Sequence, residues 1–187
     1  MKYKKLKKIV FIPSIINVKF DNGYYYFKGP KGQIKHTLHD HLSVKLMTNK
    51  LYILCDKQME RKKESSQIKS LINTTYALFK NYIYGISNLF NKTLILKGIG
   101  YKADYNIKSS FLTLSLGFSH FVKISIPKDI FIEISNSVNI FIKGVSKYRV
   151  GQISSNIRSK RTPENYKGNG IRYADEFLKL KSPKKTK

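Results

Sequence analysis

The hydrophobic pattern of this chain changes period twice, in the same order both times. From Ile9 to Cys55 apolar residues alternate in short runs, and from about 66 to 85 they recur at steps of three and four. Alternation then resumes from Thr93 to Lys143, and 146–160 returns to helical spacing. A period of two belongs to a half-buried strand and a period of 3.6 to an amphipathic helix. A chain that runs strands then helix, twice, within 187 residues reads better as two modules than as one βαβ fold. It predicts an α+β protein of two tandem similar domains, each a mostly antiparallel sheet packed with one main helix, the pair descending from an ancient duplication. The expected division is 1–88 and 89–187, with a basic C-terminal arm at 161–187.

In the first pass the spacing predicts strands at Ile9–Ile12, Ile15–Phe20, Tyr24–Lys28, Gln33–His39, Leu42–Met47 and Leu51–Cys55. Asp21-Asn22-Gly23 reads as a hairpin turn, because both central positions tolerate positive φ. After a charged connector at 57–66, the stripe Ile68, Leu71, Ile72, Thr75, Phe79, Tyr82, Ile83 and Ile86 predicts a helix ending near Gly85. The second pass predicts strands at Thr93–Lys97, Tyr101–Ile107, Phe111–Leu116, Val122–Ile126, Ile130–Ile134 and Val138–Lys143. A helix over 146–160 follows, capped by Ser146 and striped by Val150, Ile153 and Ile157. Pro163 blocks its continuation.

Charge narrows the function. The net formal charge is +25, a load that repels itself unless a polyanion compensates. It divides into +12 over 1–90, +3 over 91–142 and +10 over 143–187, so the ends carry the excess. Cys55 is the single cysteine, which rules out an intrachain disulfide, and no apolar run approaches the roughly 18–20 residues of a membrane span. Of 36 basic residues five are arginine, and Arg158, Arg161 and Arg172 lie close together. Where most cations are lysine, the surviving arginines mark positions that use the planar five-donor fork.

That stretch interleaves charge, rings and glycine. Its candidate RNA contacts are Arg158, Lys160, Arg161, Tyr166, Lys167, Gly168, Asn169, Gly170, Arg172 and Tyr173. Arg and Lys suit phosphates, glycine N–H groups suit close backbone approach, and tyrosine suits base stacking. Lys143, Lys147 and Arg149 extend the set upstream, and Ser119 and His120 add a loop that fits near backbone or phosphate. Catalytic and cofactor chemistry finds little support. Gly98-Ile99-Gly100 resembles a dinucleotide fingerprint, yet a strand rather than a helix follows it, so no helix N-terminus receives a pyrophosphate. His36, His39 and His41 with Asp40 and Cys55 make a poor ligand set, and His120 has no recognisable acid or oxyanion turn. The expectation is a non-enzyme without metal or cofactor.

The run Tyr166-Lys167-Gly168-Asn169-Gly170-Ile171-Arg172-Tyr173-Ala174-Asp175-Glu176 resembles the C-terminal signature of the bacterial-type large-subunit ribosomal protein L-six family. Supporting pieces follow in order: Phe27–Gly32, Gly98–Ala103, Leu114–His120, and Val150-Gly151-Gln152 leading to Ile157-Arg158. The likeness covers about 9 to 180. The chain departs from the family's usual residues at Ser146, Tyr148, Phe121 and Asn169. The resemblance implies a tandem of two α+β domains and a structural role in the large ribosomal subunit. It also implies binding to large-subunit rRNA near the sarcin–ricin loop, at the foot of the factor-binding stalk. Partners would be that rRNA and neighbouring ribosomal proteins, with no membrane and no small-molecule substrate. The wealth of Lys, Asn, Ile, Tyr and Phe, residues of AT-rich codons, points to an organelle-encoded copy in the mitochondrial matrix, with the cytoplasm of a reduced bacterium as the alternative. A free-standing protein of RNA processing, or an RNA chaperone, is the alternative function.

Overall fold

A computed structural model describes residues 7–55 and 62–181. The first six lysine-rich positions, residues 56–61 at the start of the charged connector and the last lysines, Lys184, Lys185 and Lys187, lie outside the described residues. The chain forms two compact units, meeting in sequence at Leu89 and Phe90.

Unit 1 contains β1 (Lys7–Phe11), β2 (Asn17–Asp21), β3 (Tyr24–Gly29), β4 (Gly32–Thr37), β5 (Leu42–Met47), β6 (Lys50–Cys55) and α1 (Lys62–Asn88). Its strands form two antiparallel three-stranded sheets, ordered β1-β6-β5 and β2-β3-β4. Asn22 and Gly23 both take positive φ, 49° and 80°, as the primed turn between β2 and β3 requires. The helix buries Ile68, Ile72, Thr75, Phe79, Ile83 and Ile86, the predicted stripe without its flanking Leu71 and Tyr82. Thr75 satisfies its buried hydroxyl by donating to the Leu71 carbonyl at 2.9 Å. Phe79 meets Phe27 of β3 at 5.0 Å between ring centroids.

Two expectations need correction here. The helix starts at Lys62, inside the expected connector, and runs through Gly85 to Asn88. It continues because Ile86 is fully buried against Gly29, whose missing side chain leaves the room. It stops where Leu89 turns left-handed at φ 60°. The histidines are the second point. The strand expected over Gln33–His39 ends at Thr37, so His39 falls with His41 between β4 and β5, while His36 of β4 bonds the Tyr82 hydroxyl through Nδ1 at 3.1 Å.

Unit 2 contains β7 (Phe90–Lys97), β8 (Lys102–Asn106), β9 (Phe111–Ser115), β10 (Val122–Ser125), β11 (Ile130–Ser135), β12 (Asn139–Gly144), α2 (Lys147–Ser159) and β13 (Gly170–Tyr173). One sheet is β11-β12-β7-β13 and the other β10-β9-β8. The core gathers Leu94, Leu96, Leu112, Leu114, Ile140 and Ile142 from the strands with Val150 and Ile157 from α2. Ser154, not Ile153, takes the buried position between Val150 and Ile157; its hydroxyl is satisfied by the Val150 carbonyl at 2.8 Å.

The largest departure concerns the arm. Residues 170–173 are a sheet strand: Ile171 pairs with Leu96 and Arg172 with Ile95. Ile171 is fully buried. Sequence periodicity misses a four-residue strand, because one apolar residue between Gly170 and Arg172 shows no period.

Candidate nucleic-acid interface

Ser146 starts α2 as predicted, with extended φ and ψ and its hydroxyl accepting the Arg149 N–H. Near this end lie Lys147, Arg149 and Lys143. The Arg149 guanidinium reaches Asp129 at 2.8 Å and the Lys143 ammonium reaches Glu133 at 2.6 Å. Both pairs are exposed, so each contributes at most about 1 kcal/mol, and an incoming phosphate can compete for the cations. The far end of the helix is about 18 Å away at 1.5 Å per residue. The candidate cations of 143–161 therefore form two groups, not one patch.

At the C-terminal end the chain is tied down. The Ile171 N–H donates to the Arg161 carbonyl at 2.8 Å, the Glu164 N–H to Asn169 at 2.8 Å and the Gly168 N–H to Glu164 at 3.0 Å. Gly170 has φ +136°, and a Cβ there would come within 2.7 Å of the Thr162 oxygen and the Pro163 Cα. Only glycine lets β13 begin so close to the chain leaving α2. The segment 160–169 is thus a folded loop.

It faces two rings. The Arg161 guanidinium lies 4.9 Å from the centroid of Phe118, in the loop between β9 and β10. Phe118 in turn stacks on His120 at 5.9 Å and 15°. The Tyr101 ring occupies space that a Cβ at Gly98 would enter at 2.8 Å, and it also touches the position a Gly117 side chain would take. The result is an open cleft of about 490 Å³ lined by Tyr101, Phe118, Lys160, Arg161, Glu164 and Asn169, among others. Tyr166 and Lys167 stand exposed on the outer turn of the loop.

The remaining candidates are partly buried. Arg158 donates from Nε to Glu176 Oε2 at 3.1 Å and from Nη2 to Oε1, a two-pronged, charge-assisted grip. The Tyr173 N–H donates to the same carboxylate at 3.2 Å. The hydrogen bond from Arg158 is the main cause holding the Glu176 carboxyl below its ordinary value, and the same bond raises Arg158. Tyr173 has Arg158 at 5.7 Å and Lys92 at 5.6 Å from its ring centroid. Arg172 has its Nε buried without a hydrogen-bond partner.

The fold therefore brings His120, Lys160, Arg161 and Asn169 together. It sets Lys143, Lys147 and Arg149 apart, and it ties Arg158 and Tyr173 to Glu176. Sequence reasoning missed Tyr101, Phe118 and Glu164. The signal for the two rings was local: each stands beside glycines, Gly98 and Gly100 before Tyr101 and Gly117 before Phe118. Among the described residues no three His, Cys, Asp or Glu side chains come together to hold a metal, and no helix is long and apolar enough to cross a membrane.

Fold and surface together define a strongly cationic α+β protein of two similar sheet-and-helix units, the second bearing a ring-lined basic cleft. Residues 97–174, which contain the cleft, match the family described as Ribosomal protein L6. The chain is 39% identical over 178 residues to large ribosomal subunit protein uL6 of Staphylococcus epidermidis, covering 95% of this chain and 96% of that protein. It is 35% identical over 179 residues to uL6 of Thermosipho melanesiensis, with 95% and 96% covered. It is 39% identical over 178 residues to uL6c of Pyropia yezoensis, with 95% and 94% covered. The chain belongs to the uL6 family of large ribosomal subunit proteins, a family of structural ribosomal proteins rather than enzymes.

Proposed function

We propose that this chain is a structural constituent of the large ribosomal subunit. It binds large-subunit rRNA near the sarcin–ricin loop and the base of the factor-binding stalk, supports translation there, and packs beside neighbouring ribosomal proteins. The observation that carries the reading is the cleft of unit 2, where Lys160 and Arg161 join two rings on a fixed loop. Its setting is the stretch 143–187, which holds +10 of the charge. Arg149 and Lys143, exposed at the other end of α2, give a second phosphate-contacting group. The lysine-heavy, arginine-poor composition supports a mitochondrial ribosome as the site of action. The bacterial relatives support a bacterial cytoplasm as the second reading.

The test is cosedimentation of the full chain with large subunits through high-salt gradients, alongside salt titration of its affinity for large-subunit rRNA. If about 6–10 phosphates are contacted, log affinity falls against log salt with a slope of roughly −4 to −9. A flat response removes the cationic surface from the binding account. A chain that stays in the soluble fraction while subunits remain intact favours a free-standing RNA-binding protein instead.

A further inference from the structure

The cleft of unit 2 offers more than a phosphate needs. Lys160 and Arg161 supply cations, but the lining also includes Glu164, Asn169 and the rings of Tyr101 and Phe118. The Ser159 and Thr162 hydroxyls in the same lining suit a phosphate, but a phosphate alone would meet the like-charged Glu164 and leave the ring faces unused. A nucleobase meets partners on every side. Aromatic rings and guanidinium planes stack on base faces. A carboxylate accepts from the amino group of guanine, cytosine or adenine, and a side-chain amide both donates and accepts. The volume of about 490 Å³ falls in the roughly 300–1,000 Å³ range of small-ligand clefts.

The walls are also set before any ligand arrives. Tyr101 rests over Gly98 and Gly117, the Arg161 backbone is held by Ile171, and the loop is closed between Glu164 and Asn169. Binding therefore orders few groups, which favours affinity.

We propose, resting on the rRNA-binding reading above, that this cleft takes a single unstacked, amino-bearing nucleobase from a non-helical RNA segment. Tyr101 and the Arg161 guanidinium, backed by Phe118, form its stacking surfaces, Glu164 and Asn169 read its edge, and Lys160 holds the adjoining phosphate.

The chain contains no tryptophan, so Phe118→Trp gives the full-length protein one indole, at the cleft, while keeping a ring there. The probes are single-stranded RNA hexamers abasic at every position, or abasic except for one central guanine, cytosine or uracil. The central guanine or cytosine quenches the indole and tightens binding about 5- to 100-fold over the all-abasic hexamer, the range expected for stacking of one base. Uracil, which lacks the amino group, gains less. In a Glu164→Gln chain the advantage of guanine and cytosine over uracil shrinks, and in a Phe118→Ala chain the gain from any base falls to near the abasic level. Melting curves confirm that each variant is folded, and Glu164→Gln, an exposed and nearly isosteric change, carries the test if Phe118→Ala is not. Equal affinity and equal fluorescence for the abasic and base-bearing hexamers overturn the proposal. Binding to large-subunit rRNA is measured in parallel. If it persists without any base effect, only the nucleobase site fails; if it is lost as well, the rRNA-binding reading fails with it.

Discussion

Units 1 and 2 use one strand order. In unit 1 the sheets are β1-β6-β5 and β2-β3-β4; in unit 2 they are β7-β12-β11 and β8-β9-β10, each set followed by its helix. Every hydrogen-bonded neighbour in the first unit has its counterpart in the second. The difference is what happens after the helix. In unit 1, β1 pairs on one side only among the described residues, whereas its counterpart β7 is flanked by both β12 and β13. A free strand edge is a place where something can be added, and in unit 2 the chain itself adds β13. That addition fixes the loop 160–169 across from Tyr101 and Phe118. The second unit thereby acquires a cleft from a frame that the first unit shares. The helices record the same choice: α1 has 27 residues and α2 has 13, with Pro163 soon after α2 so that the chain is free to turn back.

The sharpest way to break this comparison is to remove the added piece. Deleting 161–187 takes away β13 and the fully buried Ile171, so unit 2 should lose cooperative folding while unit 1 keeps it. Ile171→Ala alone should cost about 2–5 kcal/mol. Thermal unfolding combined with hydrogen exchange of Leu94 and Ile140 against Phe79 and Ile83 separates the units. Native-like exchange in the truncated unit 2 would mean that the added strand decorates the fold and does not complete it.

The reach of the sequence follows the same line. The repeated frame was legible because Phe27, Leu51 and Ile53, like Leu112, Leu114, Ile140 and Ile142, lie on repeated alternating runs and are fully buried. The stripe of α1 was legible at steps of three and four. The added strand was not, since Gly170-Ile171-Arg172-Tyr173 exposes its pairing only in three dimensions. For the same reason the basic residues after α2 read as one arm. Periodicity cannot show that Arg158 is gripped by Glu176, eighteen positions later, or that Arg161 lands on Phe118 from another sheet's loop.

Two glycines set the next contrast. Gly23, in the unit 1 hairpin, has φ +80° with open space around its missing side chain, whereas Gly170 has φ +136° with backbone 2.7 Å from the added Cβ. Gly23→Ala should cost only the left-handed backbone, about 1–2 kcal/mol. Gly170→Ala should exceed it, because the strain of its backbone region, roughly 1–3 kcal/mol, adds to a collision with residues 162 and 163. It should also open the cleft. Paired denaturation curves read the difference, and equal costs would mean that β13 can shift away without loss. Ion pairs give a smaller contrast. Arg158→Ala strips a partly buried carboxylate of its main donor and should cost roughly 1–3 kcal/mol. Arg149→Ala, in an exposed pair, should cost no more than about 1 kcal/mol.

The smallest effect is in pH, and it differs between the units. Burial beside Phe79 and Tyr82 holds His36 below its ordinary value of 6.5. Between that lowered value and 6.5 the unfolded chain binds a proton that the folded chain does not, so unit 1 loses stability as pH falls below 6.5. Burial also raises Tyr82 above its ordinary 10.0; above that pH the unfolded chain ionises first, and unit 1 again weakens as pH rises. Glu176 in unit 2 works lower. Its contribution is complete above its ordinary 4.5 and is lost only as pH falls through its depressed folded value. Denaturant midpoints followed through the methyl signals of Ile83 and Ile140 at pH 7.5 and 5.5 test this. The His36 contribution should lower the Ile83 midpoint at 5.5, and Glu176 should leave the Ile140 midpoint unmoved across that interval. His36→Gln should remove its part of the unit 1 slope, since the amide does not titrate. A slope in unit 1 that survives this substitution undiminished would place its acid sensitivity on another group and leave the His36–Tyr82 contact a packing feature alone.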